Sequence, residues 1–157
     1  MSAAPGDHTQ FASTAWFEVQ VEGPAVNGGI WAVVQTVSGL QESFKTIDYY
    51  EGGQHERPHR LPGGKQFQNV VLQGVVTDGT DIYDWFSKVR PGSIKDARCQ
   101  VIVTLMHQTS DGPSSIGEWW VNDAYPIRYT GPSLDRAKEA VAFEQIELVH
   151  AGIERAF

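Results

Sequence analysis

The sequence has very little cysteine, since Cys99 is the only one among 157 residues. A single cysteine cannot form a bridge within one chain, so the fold must depend on an apolar core rather than on a disulfide framework. A chain of this length can bury such a core. The apolar residues Val101, Ile102, Val103 and Leu105 follow Cys99 closely, which predicts a buried and unreactive thiol.

Positive charge is also scarce. Twelve Lys and Arg residues stand against nineteen Asp and Glu residues, which gives a formal net charge of -7. An acidic surface is repelled by phosphate backbones and anionic lipid, so no specific nucleic-acid binding is expected. No run approaches the about 20 apolar residues of a membrane span, so no direct membrane anchoring is expected either. Residues 1–9 contain no basic or apolar stretch, which predicts synthesis in the cytosol without an export signal.

Short catalytic motifs are missing as well. The sequence contains no G-x-S-x-G, G-x-G-x-x-G or G-x-x-x-x-G-K-[ST] pattern. The run His55-Glu56-Arg57-Pro58-His59 matches H-E-x-x-H, which binds zinc only when a helix presents both histidines on one face. Pro58 and the neighbouring glycine pairs oppose that helix. We therefore predict no catalytic residue, no metal site and no cofactor, and keep a zinc-dependent hydrolase as an alternative hypothesis.

Two other histidines stand near carboxylates in the sequence. His107 precedes Asp111, and His150 follows Glu147. A histidine beside a carboxylate is the arrangement of a general base, but isolated pairs of this kind more often bond locally or line an interface. We interpret both as structural histidines.

Alternation of apolar and polar residues predicts a mainly β chain. Phe17, Val19 and Val21 lie on one face of the first predicted strand. Further strands are predicted at residues 30–38, 44–50, 69–77, 98–108 and 118–129. Residues 133–149 fit a helix and a strand equally well. About seven strands joined by tight turns predict an antiparallel sandwich or open barrel, with residues 1–14 as a flexible N-terminal arm and residues 15–157 as one β domain.

One short helix interrupts the strands. Asp78 and Thr80 are candidate N-caps, and Pro91 ends the helix after about three turns. The apolar residues that share one helical face, and that are expected to pack against the sheets, are Ile82, Trp85, Phe86 and Val89.

Two regions are candidates for contact with other molecules. Residues 51–66 contain two glycine pairs and form a long loop or an irregular hairpin, and such loops are usually functional. Trp119 and Trp120 are neighbours on a strand, so they point to opposite faces, with Val121 and Asp123 on the face of Trp119. At least one tryptophan is expected to meet solvent or another chain, and a module that presents Trp120 to carbohydrate is a further alternative.

Several blocks occur in an order that is similar to a known family. The sequence resembles the tail tube proteins of contractile-tailed phages and related bacterial injection systems over roughly residues 16–153. The blocks that carry the resemblance are Gly39-Leu40 with Glu42, Tyr50 to Gly53, Leu61 to Gly63, Asn69 to Phe86, Trp119 to Pro126, Tyr129 to Asp135 and Glu144 to Gly152. Motifs in one consistent order are far more specific than any one of them alone.

The resemblance implies a fold, an assembly and a set of partners. The fold has two packed antiparallel sheets with one short flanking α-helix, and residues from about Val141 become a strand. The assembly is a hexameric ring that stacks into a hollow conduit for DNA or effector cargo. The implied partners are further copies of the chain, a sheath protein, baseplate or hub proteins and tube-terminator proteins. The particle is a phage tail or an extracellular or cytoplasmic injection system that assembles in the cytoplasm.

The resemblance also implies contact residues. The candidate inter-ring loop residues are Glu51, Gly52, Gly53, His55, Arg57, His59, Leu61, Pro62 and Gly63, with Leu61 as the apolar anchor. The candidate inter-subunit strand residues are Trp119, Trp120, Glu144, Ile146, Leu148 and His150. The inner wall is expected to be polar and acidic. An adaptor at the base of the tube, with the same fold, is the nearest alternative.

Overall fold

The computed structural model describes residues 15–53, 56–75, 79–132 and 143–157, and most of them lie in strands. In chain order the described strands are β1 (Ala15–Gly23), β2 (Val26–Val34), β3 (Thr36–Ser38), β4 (Glu42–Tyr49), β5 (His59–Phe67), β6 (Val70–Val75), β7 (Cys99–Thr109), β8 (Gly112–Thr130), β9 (Glu144–Val149) and β10 (Gly152–Arg155). The α-helix α1 (Asp81–Ser87) and a 3₁₀ helix (Ile94–Ala97) lie between β6 and β7. The predicted arm, residues 1–14, lies outside the described residues. No helix in the described part of the chain is long and apolar enough to cross a membrane.

The strands form two antiparallel sheets that share one long strand. The first sheet has the order β2-β1-β7-β8-β10, and the second has the order β3-β6-β9-β8. β8 is 19 residues long; it pairs with β7 through residues 112–124 and with β9 through residues 125–130. The predicted fold class, mainly β with two packed antiparallel sheets and one short flanking helix, is confirmed.

The core lies between the two sheets. Every second residue of the central strands points inward, as the period of a strand requires. Trp85 of α1 is fully buried at the core, and its indole Nε1 donates a hydrogen bond of 2.8 Å to the carbonyl of Ala97. The largest fully buried side chains besides Trp85 are Leu72, Ile82, Ile146, Leu148, Val19, Val21, Val34, Val70, Val101, Val103 and Val121.

The helix is shorter than predicted. It ends at Ser87, after about two turns, so Val89 lies beyond it although Ile82 is buried on the sheets as expected. Lys88 N–H donates to the carbonyl of Trp85 at 3.1 Å, three residues back. Bonds over three residues tighten the last turn into 3₁₀ geometry and stop the helix ahead of the proline.

Thr80, one of the two predicted candidates, is the N-cap, and it acts through its main chain. Its carbonyl accepts the Asp84 N–H at 2.8 Å, and its hydroxyl donates to the Asp84 carboxylate at 3.0 Å. The hydroxyl therefore does not cap a free helical N–H, as the residue type predicted. Asp78, the other candidate, lies outside the described residues.

The apolar run at residues 30–38 is two strands rather than one. Val34 pairs with β1 in the first sheet, whereas Thr36 pairs with β6 in the second. Gln35 lies at the corner, and its N–H donates to the carbonyl of Gln73 at 3.1 Å. The run turns from one sheet to the other because strands that change sheets form the corners of a sandwich.

The alternation of β8 breaks at Asp123. Trp119 and Val121 share the inward face, as their predicted common face requires, but Asp123 is exposed and the next buried residue is Ala124. Asp123 has a φ of 51° and sits opposite a register shift in β7. Such a bulge adds one residue and moves every later side chain to the other face. A second shift follows Pro126, whose nitrogen carries no hydrogen to donate to a ladder.

Two ambiguous segments are strands in the structure. Residues 59–67 form β5, which pairs with β4, so the predicted loop at 51–66 is mostly an irregular hairpin. The C-terminal segment enters a strand at Glu144, and its predicted start at Val141 lies outside the described residues. The residues of β3 fall within the strand predicted at residues 30–38, but its separation from β2 is not predicted. The short strand β10 is not predicted, because four residues give no clear period.

Candidate assembly interface

The β4–β5 hairpin is a two-stranded sheet that pairs with no other described strand. Apart from Glu42 and Gly63, every residue of its two strands is exposed. Large apolar side chains lie along this exposed ribbon, which is unusual for the surface of a monomer. They are Phe44, Ile47, Tyr49, Leu61 and Phe67, with Tyr50 just beyond the end of β4.

Local pairing explains the shape of the hairpin. Ile47 lies opposite Leu61, and Asp48 lies opposite Arg60 with a distance of 3.5 Å from its Oδ1 to the arginine Nε. The strands shift register between Phe44 and Thr46. Gly63 belongs at this bulge, because a Cβ there would lie 3.0 Å from the Lys45 carbonyl and 3.2 Å from the Ile47 side chain.

The predicted inter-ring residues fall on this hairpin. Glu51, Gly52 and Gly53 lie where the chain leaves β4, and Glu51 Oε2 is 4.0 Å from Nε2 of His59. His59, Leu61, Pro62 and Gly63 lie on β5, and Arg57 lies two residues ahead of it. His55 lies outside the described residues. The sequence analysis did not single out Phe44, Ile47 and Tyr49 of β4, which are three of the five large apolar side chains exposed on the two strands.

The hairpin is tied to the sandwich at its root. Glu42 Oε2 lies 2.6 Å from Lys65 Nζ, and Glu42 Oε1 accepts the Ile153 N–H at 2.8 Å. The hydrogen bond from Lys65, followed by that from Ile153, lowers the pKa of the Glu42 carboxyl below its usual value. The Glu42 carboxylate therefore binds both the Lys65 ammonium and the Ile153 N–H at the edge of β10.

The predicted inter-subunit strands lie inside the sheets. Trp119 and Trp120 are on β8 between β7 and β10, and Ile146 and Leu148 are on β9 between β6 and β8. Their main-chain groups are paired within the chain, and Glu144 accepts a hydrogen bond of 2.9 Å from the hydroxyl of Tyr129. A ladder shared between subunits needs an edge strand, so these residues do not supply one.

The edges that remain are different strands. Among the described residues, β2 pairs only with β1, β3 only with β6, and β10 only with β8. β2 is nine residues long and carries Trp31 and Val33 exposed on its outer face. A long edge strand with exposed apolar side chains is a template for pairing with another chain.

The outer face of the first sheet is acidic. Its carboxylates are Glu18, Glu22, Glu118 and Glu154. Each accepts a hydrogen bond from an uncharged indole or amide; the donors are Trp16, Gln20, Trp120 and Asn122. In the strands of the first sheet, counted to residue 124 of β8, the one Lys or Arg is Arg155, whose guanidinium lies 5.6 Å from the Trp119 ring, on the opposite face. The outer face therefore keeps uncompensated negative charge.

The H-E-x-x-H run is not helical where the structure describes it. Glu56 lies in a bend, Arg57 and Pro58 have no regular structure, and His59 begins a strand. In the described part of the chain, no three His, Cys, Asp or Glu side chains come together to hold a metal. The geometry that would give the motif its chemistry is therefore missing from these residues.

The other polar groups singled out in the sequence have local partners. His107 Nδ1 lies 3.1 Å from the Ser114 carbonyl, and His150 Nε2 lies 2.7 Å from the Gln68 carbonyl. Cys99 is buried, and burial raises the pKa of its thiol. A buried thiol of raised pKa is unreactive, as the sequence predicts.

A β-sandwich that shares one long strand between its sheets, carries one flanking helix and projects an apolar hairpin has the architecture of a tail tube protein. The family model described as T4-like virus tail tube protein gp19 matches residues 13–154, and the chain belongs to that family. No curated protein sequence matches it.

Solved structures share this fold. A chain of the PVC sheath–tube complex, from an extracellular contractile injection system in its extended state, is 25% identical, with a TM-score of 0.70, and the match covers 88% of this chain and 86% of that one. A chain of the PVC sheath/tube terminator complex is 26% identical, with a TM-score of 0.70 and coverages of 90% and 93%. A chain of the six-fold symmetrised baseplate of the anti-feeding prophage is 20% identical, with a TM-score of 0.69 and coverages of 99% and 97%, and it shows the fold alone.

Proposed function

We propose that this chain is the repeated subunit of the inner tube of a contractile tail or injection system, and that six copies close into a ring. The observation that carries the proposal is the β4–β5 hairpin, whose apolar side chains are exposed on a ribbon that leaves the sandwich. An apolar ribbon of this kind gains stability when it is buried against another molecule. In a homopolymer that molecule is the next copy of the chain.

Ring closure would use the edges of the first sheet. β2 offers an unpaired edge on one side of this sheet, and residues 112–117 of β8, which among the described residues pair only with β7, offer the edge on the other side. Closure of identical subunits around an axis joins such edges and leaves none exposed. Membership of the tail tube family, for which the sequence resemblance implies hexameric rings, supports six as the number of copies.

The acidic outer face of the first sheet would then line the channel. Its carboxylates are bonded to uncharged donors, so their charge stays available to repel anionic cargo. Repulsion from the wall lets DNA or an acidic effector pass without binding. A channel of this kind has a transport role and needs no catalytic group, so we propose a structural protein rather than an enzyme.

The hairpin would join one ring to the next, with Leu61 as an apolar anchor and Ile47 opposite it. The surface left around the tube would contact a sheath protein, and the ends of the tube would meet baseplate or hub proteins and a terminator. Likeness to chains from sheath–tube and terminator complexes supports these partners. Assembly in the cytoplasm, before the particle is complete, belongs to the same proposal.

Electron microscopy of the purified protein tests the proposal. We expect rings with a central channel, and stacks of rings at higher protein concentration or after addition of a baseplate nucleus. A protein that remains monomeric with such a nucleus present would overturn the proposal. A single ring that never stacks would instead support the rival assignment, an adaptor at the base of the tube.

A further inference from the structure

The direction of the β4–β5 hairpin depends on a few contacts at its root. Beyond the root, the residues of both strands except Gly63 are exposed, and among the described strands they pair only with each other. A two-stranded ribbon without a packed face has little stability or rigidity of its own. The groups that hold its base must therefore set its angle to the sandwich.

Glu42 is the residue at which the root converges. Its Oε2 lies 2.6 Å from Nζ of Lys65 on β5, and its Oε1 accepts the N–H of Ile153 on β10 at 2.8 Å. The side chain of Glu42 is only 23% exposed. The ammonium of Lys65 also lies 5.9 Å and 5.5 Å from the ring centroids of Phe44 and Phe67. One carboxylate thus joins both strands of the hairpin to the main chain of the sandwich.

The N–H that Glu42 accepts belongs to the free edge of β10. Ala156 N–H donates to the carbonyl of Glu118 at 2.9 Å, which fixes the residues of β10 that face β8. Main-chain groups of an antiparallel strand alternate in direction, so the N–H of Ile153 points away from β8. Glu42 therefore fills the position that a neighbouring strand would otherwise occupy.

A second contact supports the same root from the segment ahead of β10. His150 Nε2 donates to the carbonyl of Gln68 at 2.7 Å, and its ring lies 5.6 Å from the ring of Phe67. The N–H of Gln68 in turn donates to the carbonyl of Gln41 at 3.3 Å. Residues 150–153, which comprise the turn after β9 and the start of β10, thus contact the beginning and the end of the hairpin.

We propose that Glu42 is a positioning residue that locks the hairpin at one angle to the sandwich and closes the edge of β10 at Ile153. The locked angle presents the apolar ribbon to a neighbouring subunit in a single geometry. The lock is a property of the single chain, whereas its effect on stacking rests on the proposed tube function. The two parts are tested by separate measurements.

Distances within the soluble subunit test the lock. Spin labels at Glu51→Cys on the hairpin and Asp111→Cys on the sandwich report the angle, since both positions are exposed and Cys99 is buried. Wild type and D48N, which breaks an ion pair within the hairpin, are expected to give one narrow distance distribution. E42A is expected to widen it about twofold and to speed exchange of the Ile153 amide about tenfold, because that N–H loses its acceptor.

Two further variants keep the test decisive if E42A does not fold. E42Q retains an acceptor for Ile153 but loses the charge partner of Lys65, and K65M retains the stem of Lys65 without its charge. Both are expected to widen the distance distribution while E42Q keeps part of the amide protection. Distances and exchange equal to those of D48N in every variant would overturn the lock.

Tube formation provides the second arm. E42A is expected to form rings that stack into fewer and shorter tubes than D48N. Normal tubes from E42A, despite a widened distance distribution, would overturn the role of the lock in stacking. If the wild-type protein forms no rings, the proposed function fails while the distance measurements still decide the lock.

Discussion

Ile47 and Leu61 lie opposite each other on the β4–β5 hairpin, and both side chains face solvent, with 56% and 52% of their surface exposed. A cross-strand apolar pair normally stabilises a sheet by covering it on one face. Here no other described strand covers the pair, so in the proposed assembly another molecule would bury it. Substitution of this pair therefore gives the most direct test of assembly.

The double variant I47S/L61S is expected to fold normally and to lose ring stacking. Removal of two exposed apolar side chains changes the stability of the single chain by less than about 0.5 kcal/mol. Light scattering and electron microscopy measure assembly, and urea unfolding measures stability. The control is I127S, which removes an exposed apolar side chain of β8 and should stack like wild type. Normal stacking of the double variant would remove the hairpin from the interface.

Trp85→Phe is expected to destabilise the sandwich by about 2–4 kcal/mol, since it leaves the buried carbonyl of Ala97 without its donor and creates a small cavity. Trp31→Phe removes the same atoms from an exposed indole and should cost less than about 0.5 kcal/mol. Urea unfolding followed by circular dichroism measures both variants. Equal losses would show that the bond between Trp85 and Ala97 contributes nothing.

Gly39 occupies a position that admits no side chain. It has a φ of 82°, and a Cβ there would lie 1.9 Å from the carbonyl oxygen of Asn69. Gly39→Ala must move the main chain and is expected to cost more than about 3 kcal/mol. Gly79→Ala is also at a positive φ, but apart from its chain neighbours no heavy atom of the described residues lies within 4 Å of the added Cβ, so it should cost about 1–2 kcal/mol. Thermal unfolding of both variants measures the two losses of stability. Equal losses would show that the main chain around Gly39 relaxes without cost.

The root of the hairpin is expected to loosen in acid. Lys65, the Ile153 N–H and, more weakly, the charge of His150 lower the pKa of Glu42 in the folded protein. Its stabilising contribution is thus complete above the ordinary glutamate pKa of about 4.3 and is lost as the pH falls through the lower folded value. Exchange of the Ile153 amide, corrected for intrinsic rates, should rise over this range in wild type and D48N. A flat profile for wild type, or the same rise in E42Q, would contradict the assignment.

The sequence predicts the sandwich well because its strands have one buried face. Val19 and Val21 on β1 alternate with the polar residues Glu18, Gln20 and Glu22, and both valines are buried in the structure. The prediction fails where the chain changes sheets, as at Gln35. A corner of this kind is set by the partners of the strands on either side, which no local pattern records.

The hairpin shows the opposite limit. Phe44 and Tyr49 have the residue types of a strand, and a strand is predicted there, but nothing in the sequence says that both faces stay exposed. Glu42 and Lys65 are 23 residues apart in the sequence, and their ion pair follows only from the register of β4 and β5. The candidate loop residues that the structure describes lie on this ribbon or next to it, whereas its exposed apolar side chains and its anchor at Glu42 are seen only in the structure.

The continuity of β8 has a mechanical consequence. Residues 112–124 belong to one layer of the sandwich and residues 125–130 to the other, so a single covalent backbone crosses between them. The layers cannot slide past each other unless ladder bonds on β7 and β9 break together. In the proposed tube, each subunit would therefore resist sliding of one of its layers against the other. An axial force applied at one end of the tube would be transmitted with little deformation inside the subunits.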